Sequence, residues 1–208
     1  MTGVSLDSVL SSYGIHGYMQ LLHLSWCDVQ LLAEELADKI VCSGFQPDLI
    51  VAVSRGGFHP ARILCDQLDF RRLASLQVEY YKGIGETREE PEIVFPVNAD
   101  VKGLNLLVVD DVADTGGSLV AVRNYLKELE AETIMIATLH YKPGSVYEPD
   151  FFVGETRAWI VYPWEPREAI LGFHSGLVAE GKVNDEELVT KLLDLGFKRR
   201  DIQRYLNL

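Results

Sequence analysis

An α/β fold with a doubly wound, mostly parallel sheet and flanking helices is predicted by two observations. Short, continuous apolar runs alternate with segments of helical period, and the turns after those runs carry glycines, hydroxyls and charges. Strands that are apolar on both faces need cover on both faces, and a parallel sheet between two helix layers provides it.

Each element follows from its own pattern. Val29, Leu32, Ala33, Leu36, Ala37 and Ile40 recur with helical spacing over 25–41, and Ser25 is placed to cap that helix. The apolar run 48–53 reads as the first strand and is followed by a helix over 60–68. Runs at 75–80, 104–109, 133–139 and 158–162 read as further strands, with a helix over 118–129 between the third and fourth. The stretch 80–91 leads from the second strand into a region of weak strand character. Glycines and polar residues near 175–182 mark a boundary, which sets a main domain of 1–183 and a small helical C-terminal appendage of 184–208. In the appendage Asn184 starts a helix with Leu188, Leu192 and Leu193 inward, and Leu195 to Phe197 turns into a second helix containing Ile202 and Tyr205.

Composition bounds the function. The 208 residues are 48% hydrophobic and 24% charged, which suits one soluble domain with a full core. A net charge of −12 argues against a nonspecific nucleic-acid or anionic-membrane surface, since phosphate backbones demand clustered Lys and Arg. Any phosphate must be met in a local pocket. Cys27, Cys42 and Cys65 are widely spaced, sit inside apolar-periodic segments and read as reduced core thiols. With no run of about 18 apolar residues and no basic leader, the chain reads as cytoplasmic.

Ligands of doubly wound sheets bind beyond the carboxyl ends of strands, so the residues after Val53, Val109, Leu139 and Val161 are the places to search. After Val109 come Asp110 and Asp111, then Asp114, Thr115, Gly116, Gly117 and Ser118 before a helix. Backbone N–H groups at a helix start are unpaired, and glycines admit a ligand close to the backbone, so this turn can hold a phosphate monoester. The paired carboxylates would repel phosphate but accept hydrogen bonds from a sugar diol, so the segment suits ribose 5-phosphate. An acidic, N-capped helix start accounts for any one of these residues but not for the whole set. After Val53, the sequence Ser54, Arg55, Gly56, Gly57 offers backbone amides and a guanidinium to an anion. By itself that motif is only a tight turn.

The apolar strand, the acidic pair and the Asp-Thr-Gly-Gly-Ser turn over 108–118 resemble the phosphoribosyl pyrophosphate signature of the type I phosphoribosyltransferase family. The resemblance spans about residues 20–175 and implies that family's fold. It implies that Asp110 and Asp111 bind the ribose hydroxyls and the Mg2+ on them, and that Asp114, Thr115, Gly116, Gly117 and Ser118 hold the 5-phosphate. It places pyrophosphate on Ser54, Arg55, Gly56 and Gly57, with a cis peptide between Ser54 and Arg55.

Two further segments are similar to the base-binding part of the 6-oxopurine members, especially the xanthine-guanine type and its archaeal relatives. A lysine at a strand end is ordinarily a solvated charge, and a tryptophan in an apolar strand is ordinarily core. Together they carry the resemblance: Lys142 would donate to the 6-oxo oxygen, Trp159 would stack on the purine and the Ile160 carbonyl would meet its exocyclic edge. Glu165 stands near where such enzymes carry an acidic residue for a second metal ion, and Trp164 is expected to pack. The stretch 80–91 would form a lid, with Tyr80, Tyr81 and Lys82 at its start. Asp114 matches the residue that serves as general base near N7.

The implied activity is transfer of ribose 5-phosphate from phosphoribosyl pyrophosphate to hypoxanthine, guanine or xanthine by a magnesium-dependent homodimer or higher oligomer. Two rivals share the phosphate cradle: a regulator that binds phosphoribosyl pyrophosphate without catalysis, and a transferase for a non-purine base. The acidic charge speaks against a DNA-binding regulator. The Lys142 and Trp159 pairing speaks against the second.

Overall fold

The computed structural model describes residues 20–82, 89–177 and 184–208. Its contacts divide the chain into Asp28–Arg157 and a second unit formed by Ala158–Leu208 with Met1–Cys27.

Asp28–Arg157 is built on a six-stranded sheet. In chain order its elements are α1 (Trp26–Ser43), β2 (Leu49–Ser54), α2 (Phe58–Gln67), β3 (Leu73–Lys82), β4 (Glu89–Phe95), β5 (Asn105–Ala113), α3 (Gly117–Glu128), β6 (Thr133–Tyr141) and β7 (Phe151–Glu155). β1 (Leu21–His23) precedes them and belongs to the second unit. The strand order is β4-β3-β2-β5-β6-β7, parallel throughout except for the antiparallel β3–β4 pair.

The central strands β2 and β5 are apolar because both faces are covered. Leu49, Val51, Val53, Leu106 and Val108 share a core with Leu119, Val122 and Leu126 of α3. On α1 the helical spacing buries Val29, Ala33, Leu36, Ala37 and Ile40, as the sequence pattern predicts. The antiparallel edge strand β4 tolerates Pro91, which a central strand would exclude because proline cannot donate to the ladder.

The second unit holds β1, β8 (Trp159–Val161), α4 (Pro166–Leu177), α5 (Asp185–Asp194) and α6 (Arg199–Leu206). β1 and β8 pair in parallel, Leu21 opposite Trp159 and His23 opposite Val161. Val161, Ile170, Phe173, Leu177, Leu188, Leu192, Phe197 and Ile202 form its core. The start of α5 is a capping box: Glu187 N donates to Asn184 Oδ1 at 2.9 Å, and Asn184 N donates to Glu187 Oε2 at 3.3 Å. His23 meets the Phe197 ring edge-on at 4.9 Å.

Four features depart from the sequence reading. Cys27 and Cys42 are exposed, and of the three thiols only Cys65 is buried, because the first two lie off the apolar stripe of α1. The run 158–162 does not join the main sheet; β8 pairs with β1, and the edge beside β6 is taken by β7. That edge strand is only half-buried and contains Gly154, so it lacks the continuous apolar signature of the central strands. β5 and β6 continue past 109 and 139, because Asp110 pairs with Thr138 and Ala113 with Tyr141. The acidic pair therefore stands in the strand and not in the turn. The amphipathic helix α4 carries Gly172 and Gly176 and was not legible as an element. The lid stretch falls in part on 83–88, and the boundary near 175–182 falls in part on 178–182, both outside the described residues.

Candidate active site

The loop after β2 is tight. Ser54–Arg55 is a cis peptide, as the resemblance implies, Gly57 N donates to the Val53 carbonyl at 2.9 Å, and Phe58 N to the Arg55 carbonyl at 3.2 Å. Its glycines serve different neighbours. A Cβ on Gly56 would lie 2.0 Å from Asp111 Oδ2 and 2.4 Å from its Cγ. A Cβ on Gly57 would lie 2.3 Å from the carbonyl oxygen of Val109 and 2.6 Å from that of Val53. The loop can pass over β5 only without side chains at these two positions.

Asp110 and Asp111 are neighbours on β5, and their carboxyls lie close enough to interact. Asp111 is buried beneath Gly56, while Asp110 is half-buried and lines a cavity. Asp110 Oδ1 accepts a hydrogen bond from Asp111 N at 2.9 Å. Burial, reinforced by the neighbouring Asp111 charge, holds the Asp110 carboxyl well above the usual carboxylate range.

That cavity, of about 330 Å³, is walled by Tyr80, Asp110, Val112, Asp114, Thr115, Gly116, Ser118 and Leu119. It opens on the start of α3. Gly116, the N-cap, has φ +82°, a conformation glycine adopts freely, and has no side chain to cap the helix; Gly117 N makes a long hydrogen bond of 3.4 Å to Thr115 Oγ1. A Cβ there would also meet Ser145 Oγ at 2.4 Å and Tyr147 N at 2.7 Å. The first turn thus presents its N–H groups beside the hydroxyls of Thr115 and Ser118, a geometry suited to an anion.

β6 delivers Lys142 to the same place. Lys142 N donates to the Ala113 carbonyl at 3.0 Å, prolonging the β5–β6 ladder, and Lys142 Nζ donates to Asp114 Oδ2 at 2.9 Å. The structure therefore brings together Asp110, Asp114, Thr115, Gly116, Ser118 and Lys142, with Asp111 beside Asp110 and under Gly56. Tyr80 also reaches this turn: its Oη lies 3.2 Å from Thr115 Oγ1, and Ser118 Oγ donates to it at 3.3 Å. Tyr81 and Lys82 end β3.

Trp159 and Ile160 belong to the second unit. Trp159 is 40% exposed at the start of β8, with Phe173 at 6.3 Å between ring centroids, so it is not the core tryptophan that an apolar strand ordinarily holds. Ile160 is buried and pairs with Leu22. Glu165 Oε2 accepts from Tyr162 N at 3.0 Å, closing the turn before α4. Trp164 packs, its ring stacked on Tyr162 at 4.7 Å and 4°. Sequence reasoning missed Ser145, whose hydroxyl closes against Gly116 and donates to the Tyr147 carbonyl at 2.8 Å. Only its position after the strand end, three residues beyond Lys142, could have drawn notice.

A doubly wound sheet with a glycine turn and acidic residues near the carboxyl ends of its strands is the kind of α/β domain that can hold a phosphorylated ligand at that edge. A family model described as phosphoribosyl transferase domain matches residues 25–169, and the chain belongs to that family. It is 31% identical over 155 residues to a xanthine-guanine phosphoribosyltransferase of Ruegeria sp. (strain TM1040), covering 69% of this chain and 84% of that protein. The crystal structure of a purine phosphoribosyltransferase from Pyrococcus horikoshii is 39% identical, with a TM-score of 0.63 over 70% of this chain and 94% of that one. A Helicobacter pylori xanthine-guanine-hypoxanthine phosphoribosyltransferase is 25% identical, with a TM-score of 0.62 over 74% of this chain and all of that one.

Proposed function

We propose that the chain is a 6-oxopurine phosphoribosyltransferase. It moves the ribose 5-phosphate group of phosphoribosyl pyrophosphate to N9 of hypoxanthine, guanine or xanthine, giving the nucleoside monophosphate and pyrophosphate. The observation that carries this reading is the Lys142–Asp114 pair at 2.9 Å beside the glycine turn of α3. Two neighbouring strand ends then offer a phosphate site, a diol acceptor, a proton acceptor and a donor for an oxo group. The names of the relatives agree.

In this reading the N–H groups and hydroxyls of Thr115, Gly116, Gly117 and Ser118 bind the 5-phosphate. Asp110 and Asp111 orient the ribose hydroxyls. Arg55, with the backbone of Ser54, Gly56 and Gly57, neutralises the departing pyrophosphate as the C1–oxygen bond breaks and positive charge grows on the sugar. The purine bonds to C1 through N9, and Asp114 accepts the proton the ring gives up near N7. Lys142 donates to the 6-oxo oxygen, and the family resemblance gives stacking on the base to Trp159 and its exocyclic edge to the Ile160 carbonyl. Tyr80, Tyr81 and Lys82 stand at the root of a lid that excludes water from the reacting sugar.

Magnesium suits the donor set. Asp110 presents carboxylate oxygen to the cavity, and this hard cation is commonly held by one or two carboxylates together with substrate oxygens. When bound, it would neutralise charge on pyrophosphate. Asp110 and Asp111 are the residues to hold it, and we give Glu165 the turn that it closes. Among the described residues no group of three or more His, Cys, Asp or Glu side chains is gathered as a ready metal site.

We further infer a transferase domain of 1–183 carrying 184–208 as an appendage, whose helices pack on Val161, Ile170, Phe173 and Leu177. A cytoplasmic homo-oligomer completes the reading. No described helix is long and apolar enough to cross a membrane, and Trp26 is 55% exposed. The test is pyrophosphate release from phosphoribosyl pyrophosphate with each natural purine and with orotate. Release with hypoxanthine, guanine or xanthine alone is expected; release with none, or with orotate, contradicts the proposal.

A further inference from the structure

Tyr80 stands near the end of β3, opposite Pro91 of β4, and is 45% exposed. Its hydroxyl nevertheless has a defined place. It lies 3.2 Å from Thr115 Oγ1, accepts from Ser118 Oγ at 3.3 Å, and would sit 2.9 Å from a Cβ built on Gly117. Those three positions belong to the turn read above as the 5-phosphate cradle. We propose that Tyr80 is a placeholder: in the ligand-free protein its hydroxyl occupies a phosphate-oxygen position, and a phosphorylated ligand must displace it.

The exchange is physically reasonable. A hydroxyl brings one donor hydrogen and no formal charge to a helix N-terminus, whereas a phosphate monoester brings several strong acceptors and the negative charge that this end of a helix favours. The half-exposed residue leaves room for the side chain to turn toward solvent. Because the phenol competes with product as well as substrate, it loosens the nucleotide monophosphate and so favours its release. This role has the opposite sign to that of a covering lid residue: losing a lid contact weakens binding, and losing a competitor tightens it.

The inference rests on the cradle reading, and the test separates the two. Calorimetric titration of the full chain and of Tyr80→Phe with GMP and with guanosine compares a ligand that fills the cradle with one that does not. GMP should bind the wild type more tightly than guanosine does. It should bind Tyr80→Phe about threefold to tenfold more tightly still, the range expected for losing competing hydrogen bonds, with guanosine unchanged. If wild type prefers GMP but Tyr80→Phe gains nothing, the placeholder is overturned and the cradle stands. If guanosine gains as much as GMP, the effect is not at the phosphate and the placeholder is again overturned. Equal affinity for both ligands in both proteins overturns the cradle and the placeholder together. Tyr80→Leu repeats the comparison without an aromatic ring.

Discussion

Lys142 Nζ lies 2.9 Å from Asp114 Oδ2, so the ammonium proposed to read the purine oxygen holds the carboxylate proposed to take the purine proton. The Lys142 side chain is 21% exposed and that of Asp114 is 59% exposed, so the pair contributes little to stability, as is usual for ion pairs open to water. Its value is positional.

Asp114→Asn keeps a hydrogen-bonding side chain of the same size but cannot accept the proton. Turnover should fall by about a hundredfold to ten-thousandfold while GMP affinity stays close to that of the wild type. Steady-state kinetics and calorimetry on the same preparation check both halves. Near wild-type turnover would remove Asp114 from the chemistry.

The two glycines of the β2 loop should fail differently when replaced. Gly57→Ala drives a Cβ into the Val109 and Val53 carbonyls of two central strands, which cannot yield, and should lower Tm by roughly 5–10 °C. Gly56→Ala pushes instead on the Asp111 carboxylate. Its main effect should be a rise in KM for phosphoribosyl pyrophosphate of roughly tenfold or more, as charged hydrogen bonds are lost. Thermal melts and kinetics on both variants separate a structural glycine from one that guards the site.

His140 makes stability depend on acid. It is buried against Gly154, whose Cβ would lie 2.5 Å from the ring, and burial lowers its pKa from 6.5 to about 4. Between these values the unfolded chain binds more protons than the folded one. The contribution is therefore complete above pH 6.5 and is lost as pH falls toward 4, by on the order of 3 kcal/mol. Asp110, with its raised carboxyl, acts in the opposite sense, favouring the fold at low pH and losing that contribution as pH rises. Comparing the wild type with His140→Gln isolates the imidazole, because Asp110 is common to both. Denaturant midpoints at pH 7.5 and 4.5 should differ less in the variant; an unchanged difference would contradict this account.

How much of this was legible in the sequence depends on what each segment packs against. The central strands and α1 were legible because complete burial leaves continuous apolar runs and a helical stripe. β7 was not, since a half-buried edge strand containing Gly154 lacks that signal, and β8 was misplaced because an apolar run does not name its partner. At the site, the turn from Asp114 to Ser118 and the Gly56–Gly57 loop were legible through their glycines and hydroxyls. The closeness of Lys142 to Asp114 was not, because it depends on β6 lying beside β5 in register through Ala113 and Tyr141. Nor was the bond from Ser118 to Tyr80, which joins residues 38 apart.

Lys142 is the proposed reader of the base, and substrate discrimination tests that role most directly. An ammonium offers only donors, so it pairs with the oxygen at C6 of hypoxanthine but meets another donor in the amino group of adenine. A site built around such a bond can reject the analogue lacking it by about 10⁴ or more. Lys142→Met keeps the apolar stem and removes the charge. The measurement is kcat/KM for hypoxanthine and adenine in both proteins. Wild type should use hypoxanthine and scarcely touch adenine, while in the variant hypoxanthine efficiency should fall steeply and the preference narrow. A wild type that favours adenine, or a variant that keeps the full preference for hypoxanthine, would contradict the account.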